Sequence, residues 1–222
     1  MELTPIFHTA MMPAESATRA LTMLRDPTHF QWYVIPLLLI VLYVYAQQIH
    51  AQRWSVVFGG LAFWCMDWIN EIWNALIFHF TGYAPFWIAS GDTAYLILIG
   101  LNIEICLMFA VFGVTAVLLL PTDPKLRILG INNRWFFAIL NSIMAVAIEC
   151  VLNAVGVLSW EYTYWSRSFP YAIFTIGYLP FFLMAYWVHD LPTTRQQIKV
   201  VGWLGGIVSV SLMYFGGLLG WL

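Results

Sequence analysis

Charged residues are scarce in this sequence: aspartate, glutamate, lysine and arginine together make up 9% of its 222 residues. A soluble domain averages about 25%, so this fraction and the hydrophobic content of 62% indicate an integral membrane protein. The net charge of −2 offers no basic surface, and we expect no nucleic-acid partner. Residues 1–30 lack a basic stretch followed by an apolar core, which argues against a cleavable signal peptide.

Cysteine and histidine are also few. No CxxC pair occurs, and each cysteine falls in a different apolar segment, which disfavours a zinc ribbon and a disulfide framework. Of the histidines, only His79 lies near an apolar segment, while His8, His29, His50 and His189 fall in tails and loops. A di-iron centre and a histidine-based triad are therefore disfavoured, and no lysine is placed for a retinal Schiff base. We expect no metal and no cofactor, although a carboxylate-rich Mg²⁺ or Ca²⁺ site stays open.

Apolar segments of about 20 residues, the length that spans a bilayer, recur six times. The sequence therefore predicts an all-α, polytopic membrane helix bundle of six transmembrane helices, or seven with an element near the N-terminus. Residues 31–222 form the predicted single domain, and residues 1–30 a tail in which residues 13–26 are a candidate interfacial helix. The predicted segments are residues 32–48, 55–80, 92–120, 135–158, 169–188 and 200–222.

Positive charges are unevenly distributed over the loops between these segments. Loops one, three and five, with their flanking residues, hold six of the nine lysines and arginines, and the opposite side holds three. Because cytoplasmic loops carry an excess of such residues, we expect these three loops to be cytoplasmic. Both termini are then non-cytoplasmic, and the expected location is the inner or plasma membrane. The sequence leaves the oligomeric state open.

Four acids lie inside the apolar segments, where no lysine or arginine neutralises them. They are Asp67, Glu71, Glu104 and Glu149. A charge at the bilayer centre costs at least about 2.5–3.5 kcal/mol, so an intramembrane acid predicts a functional site. Asp67 and Glu71 share one helix face with Asn70 and Asn74, because the four follow an i, i+3, i+4, i+7 spacing. At about 1.5 Å per residue, Glu71 and Glu149 are expected about 13 Å from the outer end, and Glu104 about 18 Å from it.

Clustered acids without a cation cannot all ionise, so at least one should hold a proton. A protonated carboxyl in an apolar pocket is a general acid, and a neighbouring carboxylate or aromatic face can stabilise a developing cation. These parts suit acid-initiated cyclisation or isomerisation of an apolar isoprenoid or sterol-like lipid taken from the bilayer. We predict Asp67, Glu71, Glu104 and Glu149 as catalytic. The predicted substrate-binding residues are Asn70, Asn74, Asn102, Asn153, Trp68, Trp160 and Tyr162.

The aromatic residues of loops two and four are typical of an interface belt. They would alternatively roof a pocket whose floor is the acid cluster. Loop two holds Tyr83, Phe86 and Trp87, and loop four holds Trp160, Tyr162, Tyr164 and Trp165.

The stretch Trp68-Ile-Asn70-Glu71-Ile-Trp73-Asn74, followed by Leu101-Asn102, resembles the small integral-membrane terpene cyclases of meroterpenoid and indole-diterpene pathways. The resemblance implies that Glu71 protonates an epoxide or alkene of a prenyl chain and that Asn102 is the family's following asparagine. In that family a tryptophan adjoins the glutamate and a late aspartate is the second acid. Here the tryptophan is not adjacent, and Asp190, in a loop, does not take that role.

Two other functions stay compatible with the sequence. Intramembrane acids also relay protons in coupled transporters and carriers, although the chain shows no repeated halves of the kind common there. In a non-catalytic assembly or lipid-binding subunit, the acids and asparagines would only hydrogen-bond between helices.

Overall fold

The computed structural model describes residues 12–222, so His8 lies outside the described residues. The described chain is mostly helical, which confirms the predicted all-α class. A π-helical turn, Ile173–Tyr178, precedes the helix Leu179–His189, and a second, Leu212–Leu218, continues the helix Thr194–Ser211. The α helices of the described part are α1 (Glu15–Met23), α2 (Val34–His50), α3 (Trp54–Thr81), α4 (Ile103–Leu118), α5 (Asn133–Ala154), α6 (Leu179–His189) and α7 (Thr194–Ser211).

Two helices in the described part are long and apolar enough to cross a membrane by length and composition. They are α5 and the continuous helix Thr194–Leu218. Three further apolar helices are shorter: Val34–His50, Ile103–Leu118 and Ile173–His189. Helix α3 is the longest at 28 residues and carries the polar face that holds Asp67 and Glu71.

The third predicted segment is wrong over its first part, because residues 92–102 are not helical. They contain an antiparallel hairpin of β1 (Leu96–Leu98) and β2 (Leu101–Asn102). Helix α4 begins only after Asn102, whose side-chain oxygen accepts a hydrogen bond from the Ile105 N–H at 2.8 Å. An asparagine in this capping position satisfies a free N–H of the first helical turn, so it fixes where the helix starts.

Helix α3 is the centre of the molecule, where it packs against α4, α6 and α7. The approach to α4 is close, because a Cβ on Gly113 would lie 2.7 Å from the Gly60 carbonyl oxygen. Small residues allow such backbone contact between membrane helices. Phe63 anchors the core, with its ring centroid 4.9–5.8 Å from those of Phe109, Phe112, Phe181 and Phe182.

A capping layer, made of residues 12–24, 82–102 and 155–172, covers the end of the bundle where α3 ends and α4 begins. Ala17 and Ala20 of α1 are fully buried and pack with Ile88 and Leu96 of the layer. The Ser16 hydroxyl donates to Glu161, and the Tyr162 hydroxyl donates to the Ala84 carbonyl at 2.8 Å. Helix α1 occupies part of the predicted interfacial segment, and protein covers its apolar face.

Candidate functional site

A cavity of about 460 Å³ lies directly beneath the capping layer. Its wall is formed by α3, α4, α5 and the π turn before α6, and it extends over α4 to α2. The volume is in the range of small-molecule sites. Most of the lining side chains are apolar, and no lysine or arginine is among them.

Three carboxyl groups project into this apolar space and form what we call the acid cluster: Asp67, Glu71 and Glu149. Asp67 and Glu71 are 3% and 4% exposed, one turn apart on α3, and Glu149 faces them from α5. Their charges are close enough to repel one another. One oxygen of each, Asp67 Oδ2, Glu71 Oε2 and Glu149 Oε2, is buried without a partner in the described chain. No lysine or arginine of the described chain lines the cavity, so three such acceptors imply that a proton is shared among them.

The other oxygens of the cluster differ in their partners. Glu71 Oε1 accepts a hydrogen bond from Trp87 Nε1 at 2.9 Å, and Glu149 Oε1 accepts one from the Tyr178 hydroxyl at 2.8 Å. No hydrogen bond from the described residues reaches Asp67. Since N–H and O–H donors stabilise a carboxylate, Glu71 and Glu149 are equipped to carry negative charge and Asp67 to hold a proton.

Glu104 does not join the cluster, contrary to its expected depth. It lies in the first turn of α4, at the edge of the cavity, because the preceding residues form the hairpin rather than helix. Its carboxylate accepts hydrogen bonds from the Tyr33 hydroxyl, from the Ala94 N–H at 2.7 Å and from the Thr93 hydroxyl at 2.6 Å. A negative charge is also favourable at a helix N-terminus. Glu104 therefore ties the capping layer to α2 and α4.

The structure distributes the four predicted asparagines over different roles. Asn70 lines the cavity beside the cluster, whereas Asn102 caps α4. Asn74 is fully buried and holds the capping layer, and the Asn153 side chain donates to the Leu158 carbonyl at 3.0 Å, just past the end of α5.

The predicted aromatic residues lie near the cavity but not on its wall. Trp68 packs against Trp64 and the Cys106 region, while Trp160 and Tyr162 belong to the capping layer. The ceiling is instead formed by Trp87 and Trp165, whose rings stack at 5.2 Å. Both come from the loops that sequence reasoning considered as a roof.

Sequence reasoning missed Tyr178, which is 6% exposed and hydrogen-bonds Glu149. Tyr178 ends the π turn just before Pro180, and a π turn within a helix frequently marks a functional site. The sequence did contain a signal for Tyr178, because its hydroxyl lies within an apolar segment, two residues before a proline.

Gly100 is the point at which the hairpin backbone touches the cluster. A Cβ there would lie 2.5 Å from both Glu71 Oε2 and Asn74 Nδ2, and 2.6 Å from Trp87 Nε1.

We therefore expect Gly100→Ala to lower stability by about 1–3 kcal/mol, the usual cost of overpacking. The apparent melting temperature in detergent measures this loss. Gly206→Ala on α7, where a Cβ meets open space, is the matched control and should change stability by less than about 1 kcal/mol. Equal melting temperatures for both variants would contradict the close contact.

Comparison with known proteins places the whole site within one family. The model of an uncharacterized membrane protein family matches residues 14–217. The chain belongs to this family. It is therefore a membrane protein, and the matched region contains every residue that lines the cavity.

Two relatives come from Archaeoglobus fulgidus, and both are described as uncharacterized proteins. One is 56% identical over 211 residues, which are 95% of this chain and 100% of the relative. The other is 47% identical over 53 residues, which are 24% of this chain and 95% of the relative. No solved structure matches the chain.

Proposed function

We propose that this protein is a membrane enzyme that uses the acid cluster for acid-initiated cyclisation or isomerisation of an apolar isoprenoid or sterol-like lipid. The observation that carries the proposal is the combination of three buried carboxyls, each with an unpartnered oxygen, and a cavity whose other lining side chains are mostly apolar. An apolar cavity favours a hydrocarbon substrate, and buried acids without a cation favour proton transfer. This chemistry is also what the resemblance to small membrane terpene cyclases implies.

The proposal includes a multi-pass arrangement in which helices α2 to α7 cross the bilayer. Their alternation in direction puts the capping layer on one side and the loops after α2, α4 and α6 on the other. The side opposite the capping layer holds most of the lysines and arginines, so we place it in the cytoplasm. The substrate is then processed in the outer half of the inner or plasma membrane, with both termini non-cytoplasmic.

The reaction begins when the Asp67 carboxyl gives its proton to an alkene carbon or an epoxide oxygen of the lipid. The resulting carbocation either rearranges or is attacked by the π electrons of a second double bond, which forms the new carbon–carbon bond. The carboxylate of Glu71 or Glu149 then removes a proton from the adjacent carbon, and the C–H electrons form a new alkene. Transfer of that proton back to Asp67 restores the cluster. The product is an isomer of the substrate, and no oxidant or reductant is needed.

The aromatic wall supports the charged intermediate. Trp87 and Trp165 form the ceiling of the cavity, and Phe109 and Tyr178 lie on its side, with ring centroids 6.2 Å apart. Aromatic faces attract a cation, most strongly where water is excluded. The buried hydrogen bonds to Glu71 and Glu149 keep these proton acceptors oriented toward the substrate.

Identification of the lipid that co-purifies with the protein, and of its conversion product, tests the proposal. Wild-type protein purified in mild detergent should co-purify an apolar lipid, and incubation should convert it into a compound of equal mass and different chromatographic retention. Glu71→Gln protein should hold the same lipid unconverted. No conversion by the wild-type protein, together with uptake of a solute into proteoliposomes under a pH gradient, would replace the enzyme by a proton-coupled transporter. Loss of a co-purifying protein from the Glu71→Gln sample, with no conversion in either, would indicate an assembly subunit.

A further inference from the structure

We infer that the ligand enters the cavity sideways from the bilayer, between α4 and α5, and that its hydrocarbon chain lies in the groove between α2 and α4. The inference deepens the proposed function, because it says how the substrate reaches the acid cluster and which part of it stays outside. It rests on the proposed function only for the reaction that follows binding.

The lining of the cavity shows where it opens. From the acid cluster, the wall continues along α4 to Met108 and along α5 to Ile148. Each of these two side chains is 48% exposed on the outer surface of the bundle. In a membrane protein that surface faces lipid, so a lipid chain has direct access to the cavity at this point.

The packing of the helices explains why the opening lies there. Helix α4 packs against α2, α3 and α6, whereas α5 packs against α6 and the π turn before it. The cavity therefore occupies the space between α4 and α5. Entry at this place requires no movement of the capping layer, whose hydrogen bonds to Asn74, Glu71 and Glu104 hold it closed.

A groove on the lipid-facing side of α4 continues the cavity beyond the opening. Leu37 and Val41 of α2 and Leu107 and Val111 of α4 line it, and Thr115 is at its far end. From Leu107 to Thr115 the helix rises about 12 Å, so the groove accommodates an extended hydrocarbon chain. Because it leads directly to three unpartnered carboxyl oxygens, its occupant is a single-chain lipid with its reactive or hydrogen-bonding end in the cavity.

The test uses hexadecan-1-ol that carries a photoactivatable diazirine at mid-chain, with the full-length protein in phospholipid nanodiscs. The hydroxyl end can donate to the free carboxyl oxygens, and the diazirine then reports the position of the chain. Peptide mass spectrometry after illumination should find labels concentrated on residues 37–41 and 107–115. Labelling of these residues no stronger than that of the exposed α7 residues Trp203 and Val210 would show ordinary surrounding lipid and overturn the inference.

Two substitutions at the opening sharpen the test. Met108→Trp and Ile148→Trp narrow the gap and should reduce labelling of the groove about tenfold, which corresponds to about 1.4 kcal/mol in binding. Met144→Trp is the matched control, because Met144 is 45% exposed one turn away on α5 and does not line the cavity. Unchanged labelling in both narrowed variants would also overturn the inference.

The two proposals fail separately. Labelling records where the hydrocarbon chain of the probe lies and requires no conversion of a lipid, so the two measurements are independent. Labelling of the groove without conversion of any lipid would refute the enzyme and leave the lateral entry standing. Conversion of a lipid without labelling of the groove would refute the lateral entry and leave the enzyme standing.

Discussion

Replacing Asp67 by asparagine is expected to lower turnover by about 10²–10⁴-fold, the usual contribution of a positioned general acid. Asparagine has nearly the same size and shape, so the cavity keeps its form. The amide cannot transfer a proton to an alkene or epoxide, and Asp67 is the carboxyl of the cluster to which the described chain donates no hydrogen bond. The measurement is kcat on the lipid that co-purifies with the wild-type protein.

Glu71→Gln and Glu149→Gln should also lower kcat strongly, because each removes a carboxylate that takes the proton back. The apparent melting temperature should hold or rise in Glu71→Gln and Glu149→Gln, since an amide removes charge repulsion from a buried site. It should hold in Asp67→Asn, where a neutral amide replaces a carboxyl that holds a proton. Glu15→Gln on the exposed face of α1 is the control and should have wild-type activity. Full activity in Asp67→Asn, Glu71→Gln and Glu149→Gln would exclude acid catalysis by this cluster.

Asn74→Leu is expected to produce the largest loss of stability, because one side chain holds the ceiling of the cavity. Asn74 Oδ1 accepts hydrogen bonds from the Phe86 N–H at 2.8 Å and the Trp87 N–H at 3.3 Å. Its Nδ2 donates to the Trp87 carbonyl at 2.7 Å. Leucine leaves these three backbone groups unpaired at about 1–3 kcal/mol each, so we expect a total loss of at least about 3 kcal/mol.

The apparent melting temperature in detergent, followed by tryptophan fluorescence, measures this loss. Asn70→Leu is the matched control, because Asn70 lies one turn away on the same helix and faces the cavity instead of the capping layer. It should melt close to the wild-type protein. A melting temperature of Asn74→Leu equal to that of Asn70→Leu would mean that the capping layer is held by other contacts.

The helical class and the meeting of three acids were predictable from the sequence. An apolar segment that cannot satisfy its backbone in lipid forms a helix, and the i, i+4 spacing puts Asp67 and Glu71 on one face. Equal depth on α3 and α5, which both run toward the capping layer, then brought Glu149 to them. These predictions depended on periodicity and on the cost of burying charge, which act locally.

The start of α4 and the position of Glu104 were not predictable in the same way. Residues 92–102 are apolar enough to resemble a membrane helix, but Asn102 caps α4 and the hairpin packs beneath α1. That packing depends on residues distant in the chain, Ala17 and Ile88 among them. The hydrogen bonds of Tyr178 and Trp87 to the acids also join separate segments, and a single sequence carries no record of such pairings.

Deuterium incorporation tests the central claim most directly. Wild-type protein equilibrated in D₂O exchanges the acidic proton of the cluster. In a single turnover, a reaction that starts with protonation by a carboxyl must therefore build one deuteron into the product molecule. We predict a product one mass unit heavier than the product made in H₂O. The deuteron is bound to the alkene carbon or the epoxide oxygen that accepts the proton. A deuteron on carbon survives back-exchange with H₂O. Product formed in D₂O from an alkene substrate without carbon-bound deuterium would contradict acid initiation by Asp67, Glu71 and Glu149.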